Sequence, residues 1–324
     1  MKSNFNKIMF LIIIMLGVFT AVSSNNWIMI WCSLEIMLVS FMPIMISSKM
    51  ITSQSTTQYF IIQSVSSTLL MVGVMLMVVK GDYNYSYLIN TSLLIKMGVA
   101  PFHSWVLTVI EGLNYFAMFL LLTVMKIAPL MLLSYSMKSI SLIIIITMMV
   151  GSVMGLNQNS LKKLIGYSSI YNMGLLISLL KFNIMWMLYL TVYSITLSML
   201  MLNINKEKIK FINQMIIKEF SINKKLSLWL NMLSMGGMPP LLGFTIKFMV
   251  IQILMTNNFM IMLVMMILSS LLVMFFYLRM TFLSIMNFSS QNKTEVHYIK
   301  NSSMIMLIIN MMFIPMTLTI KMLA

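Results

Sequence analysis

The sequence predicts an all-α protein that crosses a membrane many times, and three observations support this prediction. Of the 324 residues, 60% are hydrophobic and only 8% are charged, whereas about 25% of residues are charged in a soluble domain. Apolar runs of roughly 20 residues, the length needed to cross a bilayer, recur along the chain. Lysines lie mostly in the short segments between these runs. Because backbone amides cannot stay unpaired in lipid, the runs are expected to be helices.

Eleven apolar runs are long enough to cross the membrane, and they predict eleven spans in a single domain that covers residues 1–324. They extend over residues 4–23, 26–46, 57–79, 87–109, 113–134, 139–156, 161–181, 183–203, 226–255, 257–284 and 302–322. Two longer polar connectors, 204–225 and 287–301, separate the later runs. The first of them is rich in lysine, and we expect both to lie on the membrane surface.

The distribution of basic residues supports this count and predicts an orientation. If the connectors alternate between the two sides, thirteen of the 21 basic residues fall on one side, four on the other, and four within spans. An error of one helix early in the chain would destroy this bias. Basic connectors remain on the cytoplasmic or matrix side of a membrane. We therefore expect the N-terminus on that side and the C-terminus on the opposite side.

Composition also excludes several classes of protein. The net charge of +15 would fit nucleic-acid binding, but the lysines lie in connectors and form no basic stripe. Cys32 is the single cysteine, and His103 and His297 lie far apart in the sequence. This set predicts no metal site, iron–sulfur cluster or other cofactor in the chain. Any redox chemistry must therefore take place in a partner. The 43 methionines and the single arginine indicate an A/T-rich, organellar genome.

Two of the predicted spans contain helix-breaking residues. The breaks consist of Gly98 and Pro101 in the fourth span and of Gly236, Gly237, Pro239 and Pro240 in the ninth. Glycine and proline together interrupt a helix and free backbone carbonyl groups. The two breaks are five spans apart, so the second is inverted in the membrane relative to the first. Two discontinuous helices in inverted repeats are typical of transporters.

Four ionisable residues lie too deep in their spans to reach water. They are Glu35, Lys96, Lys126 and Lys247, in the second, fourth, fifth and ninth spans. A charge at the centre of a bilayer costs roughly 2.5–3.5 kcal/mol, so such residues usually have a function. An amine whose protonation depends on a nearby carboxylate can bind and release a proton when its partner moves. The four residues therefore predict a proton relay.

A second group of ionisable residues consists of secondary candidates for the proton path. Arg279 lies near the end of its span, where a long side chain can extend to the membrane surface. Lys163, beside Lys162, opens the seventh span as an interfacial anchor or a proton entry. His103 and Glu111 flank a short connector and are either solvated or in contact with a water path.

Several motifs occur in the order found in one family. They are KMGVAPFHSW at 96–105, KIAP at 126–129, LKKLIGYSSI at 161–170, LSMGGMPPLLGF at 233–244 and FYLR at 276–279. From about residue 23 to residue 281, the chain resembles the antiporter-like subunit 2 family of mitochondrially encoded NADH–ubiquinone oxidoreductase, respiratory complex I. The composition is typical of an insect or another arthropod.

The resemblance implies a proton-translocating subunit of the membrane arm, with eleven spans, in the mitochondrial inner membrane. Glu35, Lys96, Lys126 and Lys247 fall on the proposed proton-channel residues of the family. The N-terminus would face the matrix and the C-terminus the intermembrane space. Partners would be other membrane-arm subunits and phospholipids including cardiolipin. NADH, FMN, iron–sulfur clusters and ubiquinone would be bound elsewhere in the complex.

The chain departs from the family pattern in one helix. Tyr171-Asn172 stands where many animal members have a histidine, and Leu175 stands where they have tryptophan. Asn172 cannot titrate, so no protonation step is assigned to it. Two other functions fit the same spans, namely a stand-alone cation/proton antiporter and a structural scaffold of the membrane arm. The antiporter would need acidic ion sites, and Glu35 is the one acidic residue deep in a span.

Overall fold

The computed structural model describes residues 2–47, 50–80, 85–136, 141–182, 185–214, 222–286 and 310. Within these ranges the regular secondary structure is helical, apart from one isolated β-bridge between Ser160 and Phe211. The prediction of an all-α protein is therefore confirmed. The predicted span 302–322 and the connector 287–301 lie outside the described residues, except for Asn310.

The described helices follow the predicted apolar runs, with differences at their ends. They are α1 (Lys2–Ser23), α2 (Trp27–Met45), α3 (Met50–Lys80), α4 (Ser86–Met97), α5 (Ser104–Gly112), α6 (Tyr115–Leu122), α7 (Val124–Ser136), α8 (Ser141–Leu156), α9 (Leu161–Leu179), α10 (Met185–Glu207), α11 (Ile222–Gly236), α12 (Leu242–Thr256) and α13 (Met260–Met286). The third predicted run begins at residue 57, whereas α3 begins at Met50, and the Ser and Thr hydroxyls of its first turns donate to carbonyl groups of the same helix.

Six of the described segments are long and apolar enough to cross a membrane. They are Phe5–Ser23, Trp27–Met45, Met50–Lys80, Tyr115–Ser136, Met185–Glu207 and Met260–Phe282. α8 and α12 are shorter apolar helices. The protein is therefore a multi-pass helical membrane protein. The count of eleven spans stays a prediction.

The chain divides into two compact units, Met1–Ile143 and Ile144–Ala324. In the first unit, α3 packs against α2, α4 and α5, and α4 also packs against α7. In the second unit, α9 contacts α10, α12 and α13 and is buried from Leu164 to Leu179. A helix that is buried on all sides forms the core of its unit. That the two units act as a single domain stays a prediction.

The connector predicted at 204–225 is described as far as residue 214 and again from residue 222. Its first residues belong to α10, which ends at Glu207. Beyond it, Ile209 and Ile212 are buried. The backbone N–H of Leu161 donates to the carbonyl of Lys210 over 3.0 Å. This part of the connector is therefore fixed against the start of α9.

Candidate functional site

The first helix break follows Lys96, at the end of α4. Gly98 has a positive φ of 68°, a conformation that glycine adopts without steric cost. Its N–H donates to Ile95 O over 3.1 Å, and the N–H of Val99 donates to Leu94 O over 3.2 Å. This pair of hydrogen bonds is the Schellman termination of a helix. Pro101 follows three residues after the glycine, and α5 begins at Ser104.

The second helix break has the same backbone pattern. Gly237 has a φ of 79° and donates its N–H to Ser234 O over 3.0 Å. The N–H of Met238 donates to Leu233 O over 3.1 Å. Pro240 again follows three residues after the glycine. The two breaks therefore share their hydrogen bonds, their left-handed glycine and the spacing to a proline.

At the first break, uncharged side chains donate hydrogen bonds to the backbone carbonyl groups. The indole Nε1–H of Trp105 donates to Ile95 O over 3.1 Å. The side-chain amide of Gln63, on α3, donates to the carbonyl oxygen of Lys96 over 3.2 Å. Lys96 itself is 9% exposed, and neither of these hydrogen bonds involves its ammonium group.

Lys96 and Lys126 line the same cavity in the first unit. The cavity measures about 30 Å³, which is room for about one or two waters. Tyr59, Gln63 and Trp105 contribute its other polar groups. Lys126 is 5% exposed and lies near the start of α7. The structure thus brings two of the predicted relay residues to one small polar space.

Glu35 lies within electrostatic reach of this group. Its carboxylate interacts with the Lys96 ammonium and the Tyr59 hydroxyl. One carboxylate oxygen, Oε1, is buried and has no hydrogen-bond partner. Glu35 as a whole is half-buried. A carboxylate near a buried amine favours the charged form of that amine. Three of the four predicted relay residues therefore belong to the first unit.

Lys247, on α12, occupies the second break. It is 8% exposed, and its Nζ donates to the carbonyl of Gly236, the last residue of α11, over 2.5 Å. The ammonium also lies 5.6 Å from the centre of the Tyr171 ring. The C-terminus of a helix carries a partial negative charge, which stabilises a cation placed there. A Cβ on Gly237 would lie 2.7 Å from Cδ, Cε and Nζ of Lys247, so the contact requires glycine.

Arg279 has a partner of a similar kind in the same unit. Its Nη1 donates to Leu156 O over 3.0 Å and its Nη2 to Gln158 O over 3.3 Å. Leu156 ends α8, so the guanidinium lies at the negative end of that helix. The side chain is directed at backbone carbonyl groups of its own unit, which explains its position within the span without requiring proton transfer.

The remaining candidates are more exposed than the buried amines. His103 is half-buried, with its Nδ1 3.2 Å from the carbonyl oxygen of Pro101. Glu111 is exposed near the end of α5, and Lys163 is half-buried in the first turn of α9. Among the described residues, no group of three or more His, Cys, Asp or Glu is arranged to hold a metal ion.

Sequence reasoning missed two features around the site. α6 ends at Leu122 and α7 begins at Val124, with Thr123 between them at φ −122° and ψ −74°. This third interruption, three residues before Lys126, has no glycine to mark it, although Pro129 follows. The polar lining from Tyr59 and Gln63 was also missed. Their spacing of four residues places them on one face of α3 and could have indicated it.

Comparison with known proteins identifies the family. A family model described as "NADH:quinone oxidoreductase/Mrp antiporter, TM" matches residues 24–92 and 83–273. NADH-ubiquinone oxidoreductase chain 2 of Anopheles gambiae is 36% identical over 318 residues, which cover 94% of this chain and 90% of that protein. The chain belongs to the NADH-ubiquinone oxidoreductase chain 2 family. The protein of that name from Locusta migratoria is 33% identical and covers 90% of this chain and 89% of its own length.

Solved structures share the fold of this NADH-ubiquinone oxidoreductase chain 2 family member. A chain of respiratory complex I from Thermus thermophilus matches with a TM-score of 0.81 at 18% identity, over 95% of this chain and 78% of that chain. A chain of the Mrp complex from Dietzia matches with a TM-score of 0.75 at 15% identity, over 84% of this chain and 59% of that chain. The resemblance found in the motifs is therefore confirmed.

Proposed function

We propose that Glu35, Lys96, Lys126 and Lys247 carry protons through this subunit of NADH–ubiquinone oxidoreductase. As a member of the chain 2 family, the protein is a proton-translocating membrane subunit of that enzyme and a multi-pass protein of the mitochondrial inner membrane. The four residues supply the proton-binding groups. We assign NADH, FMN, iron–sulfur clusters and ubiquinone to other subunits, because the sequence offers no ligand set for them.

The observation that carries this proposal is the placement of buried ammonium groups beside interrupted helices. Lys247 donates to the free carbonyl at the end of α11, and Lys96 and Lys126 line a cavity large enough for water. Interrupted helices are tolerated at membrane depth where they are covered by protein or line a water-filled space. Lys247 therefore has an acceptor for its charged form, and Lys96 and Lys126 have room for water beside them.

The carboxylate of Glu35 can control proton binding in the first unit. While it is charged and close, it stabilises the protonated Nζ of Lys96. When this carboxylate moves away, Lys96 loses that stabilisation and can release its proton into the cavity it shares with Lys126. A water in this cavity would pass the proton between the two amines. In the second unit, the carbonyl of Gly236 holds the protonated form of Lys247.

The shared pattern of the breaks supports an inverted repeat of eleven spans. Gly98 and Pro101 in the fourth span correspond to Gly237 and Pro240 in the ninth. We place the N-terminus in the matrix and the C-terminus in the intermembrane space, on the lysine distribution. Neighbouring membrane-arm subunits are the protein partners, and phospholipids including cardiolipin are the proposed ligands of the basic connectors. Lys163, His103, Glu111 and Arg279 remain secondary candidates for the ends of the path.

The test is proton pumping by the assembled enzyme in sealed vesicles. Lys126→Ala and Glu35→Gln should lower the number of protons moved per electron while the enzyme still assembles. Lys181→Ala is the matched control, because Lys181 is exposed and lies against the ring of Phe259. A stand-alone antiporter would instead exchange cations as a purified single chain. A scaffold would pump normally in both variants, and that result would defeat the proposal.

A further inference from the structure

Buried tyrosines surround the middle of α9 in the second unit. The tyrosine cluster consists of Tyr171 of α9, Tyr189 and Tyr193 of α10 and Tyr277 of α13. All four side chains are at most 3% exposed. Tyr189 donates to Asn172 Oδ1 over 2.8 Å, and Tyr277 donates to Ser168 Oγ over 2.8 Å. The core helix of this unit is therefore lined by hydroxyl groups where a membrane protein would normally place apolar side chains.

Two of these hydroxyls have no hydrogen bond. The hydroxyl oxygens of Tyr171 and Tyr193 are buried without a partner. Tyr193 lies close to Asn172 and Ser169, and Tyr171 lies close to Ser269 and Ser270, but neither hydroxyl reaches hydrogen-bond geometry. A buried hydroxyl without a partner lowers stability, so a phenylalanine would pack better at both positions. Their retention calls for a reason other than the stability of the fold.

The cluster leads to the ammonium group at the second helix break. Ser168 and Asn172, which accept from Tyr277 and Tyr189, lie one turn apart on α9, and Tyr171 precedes Asn172 in the chain. The ring of Tyr171 then lies 5.6 Å from Nζ of Lys247. Polar groups thus follow one another from Ser168, about two turns into α9, to Lys247. Separations longer than a hydrogen bond along such a series can be bridged by single waters.

We propose that the tyrosine cluster conducts protons between the Ser168 region and Lys247, an inference that rests on the proposed function. A hydroxyl can donate one proton while it accepts another, so it transfers protons without becoming ionised. At each hydroxyl one O–H bond breaks as another forms. The last transfer forms an N–H bond on neutral Lys247, and the proton taken up at the other end replaces the one delivered. The reverse sequence releases the proton of Lys247.

The members of the cluster have different tasks in this path. Tyr171 and Tyr193 are the mobile links, because no hydrogen bond fixes their hydroxyls. Asn172 is a positioning residue. Its amide oxygen accepts from Tyr189 and holds that hydroxyl in place, but the amide does not titrate.

The test compares phenylalanine variants in the assembled enzyme, with proton-to-electron ratio and thermal stability measured on each. Tyr171→Phe and Tyr193→Phe remove hydroxyls that make no hydrogen bond, so neither should lower the melting temperature. We expect both to reduce the proton-to-electron ratio to the value given by Lys247→Ala. Tyr167→Phe is the matched control, because Tyr167 is buried on the same helix but outside the cluster. It should retain the wild-type ratio.

The outcomes separate this inference from the proposed function. If Lys247→Ala lowers the ratio and both cluster variants keep it, the inference is wrong and the proposed function stands. If Lys247→Ala keeps the wild-type ratio, both are wrong. A loss in Tyr167→Phe equal to that in Tyr193→Phe would also overturn the inference. Tyr189→Phe breaks a hydrogen bond and should lower the melting temperature. An equally large fall in Tyr171→Phe and Tyr193→Phe would also overturn the inference, because their hydroxyls would then stabilise the fold.

Discussion

The two helix breaks have the same backbone and different occupants. At the first, an indole and an amide donate to the freed carbonyl groups. At the second, the ammonium of Lys247 donates to Gly236 O. The lysine of the first break lies on the helix before it, whereas Lys247 lies on the helix after it. Each break therefore supplies backbone carbonyl groups as hydrogen-bond acceptors. Only at the second break does a lysine ammonium donate to one of them.

Alanine at the two glycines should give the largest effects and separate the two breaks. Gly237→Ala forces an L-residue into the left-handed region, at a cost of about 1–2 kcal/mol, and places a Cβ against the Lys247 side chain. We expect lower thermal stability of the assembled enzyme and loss of this subunit's pumping.

Gly98→Ala is the comparison for that variant. Its Cβ would meet Cγ2 of Val106, an apolar atom, at 2.1 Å. Overpacking of this kind costs typically about 1–3 kcal/mol. Both variants should therefore lose stability, but Gly237→Ala alone displaces an ammonium directly. If Gly237→Ala pumps at least as well as Gly98→Ala, the contact between Lys247 and the break has no role in transport.

Methionine in place of each lysine should distinguish the breaks by stability. Lys247→Met leaves the Gly236 carbonyl without its side-chain donor, which costs about 1–3 kcal/mol for a buried group. Lys96→Met leaves the hydrogen bonds of the first break in place, because other side chains make them. Thermal unfolding of the assembled enzyme should show a lower midpoint for Lys247→Met than for Lys96→Met. Equal midpoints would mean that the ammonium is not the partner of the carbonyl.

A smaller effect is expected when the indole donor of the first break is removed. Trp105→Phe loses the hydrogen bond to Ile95 O, a contribution of about 0.5–1.5 kcal/mol. Lys96 and Lys126 keep their ammonium groups in this variant, and the cavity they share loses one neutral polar group. We therefore expect a modest fall in melting temperature and an unchanged proton-to-electron ratio. A fall in the ratio without a fall in stability would place Trp105 in the proton path.

Glycine and proline in the sequence coincide with two helix ends, but the sequence did not indicate which side chains contact those ends. Glycine and proline act locally, so the ends of α4 and α11 beside Gly98 and Gly237 could be read from the chain. The interruption at Thr123 could not, because no residue there requires it. Hydrogen bonds between residues that are distant in the sequence could not be predicted either. Gln63 reaches Lys96 from another helix, and Gly236 is held by a lysine eleven residues later.

The position of a charged residue within its apolar run predicted burial better than its residue type. Lys96, Lys126 and Lys247 were selected because they lie far from the ends of apolar runs, and all three are buried. Glu35 was selected on the same ground and is half-buried. The tyrosine cluster escaped the same reasoning, because a tyrosine within an apolar run resembles any other large aromatic side chain. Its hydroxyls become informative when three helices bring them around Asn172 and Ser168.

The most direct test of the account is the proton-to-electron ratio of the assembled enzyme carrying Lys247→Ala, with electron transfer followed in the same vesicles. The account predicts fewer protons moved per electron than in the wild type and in the Lys181→Ala control. An assembled variant with the wild-type ratio and the wild-type rate of electron transfer would contradict it.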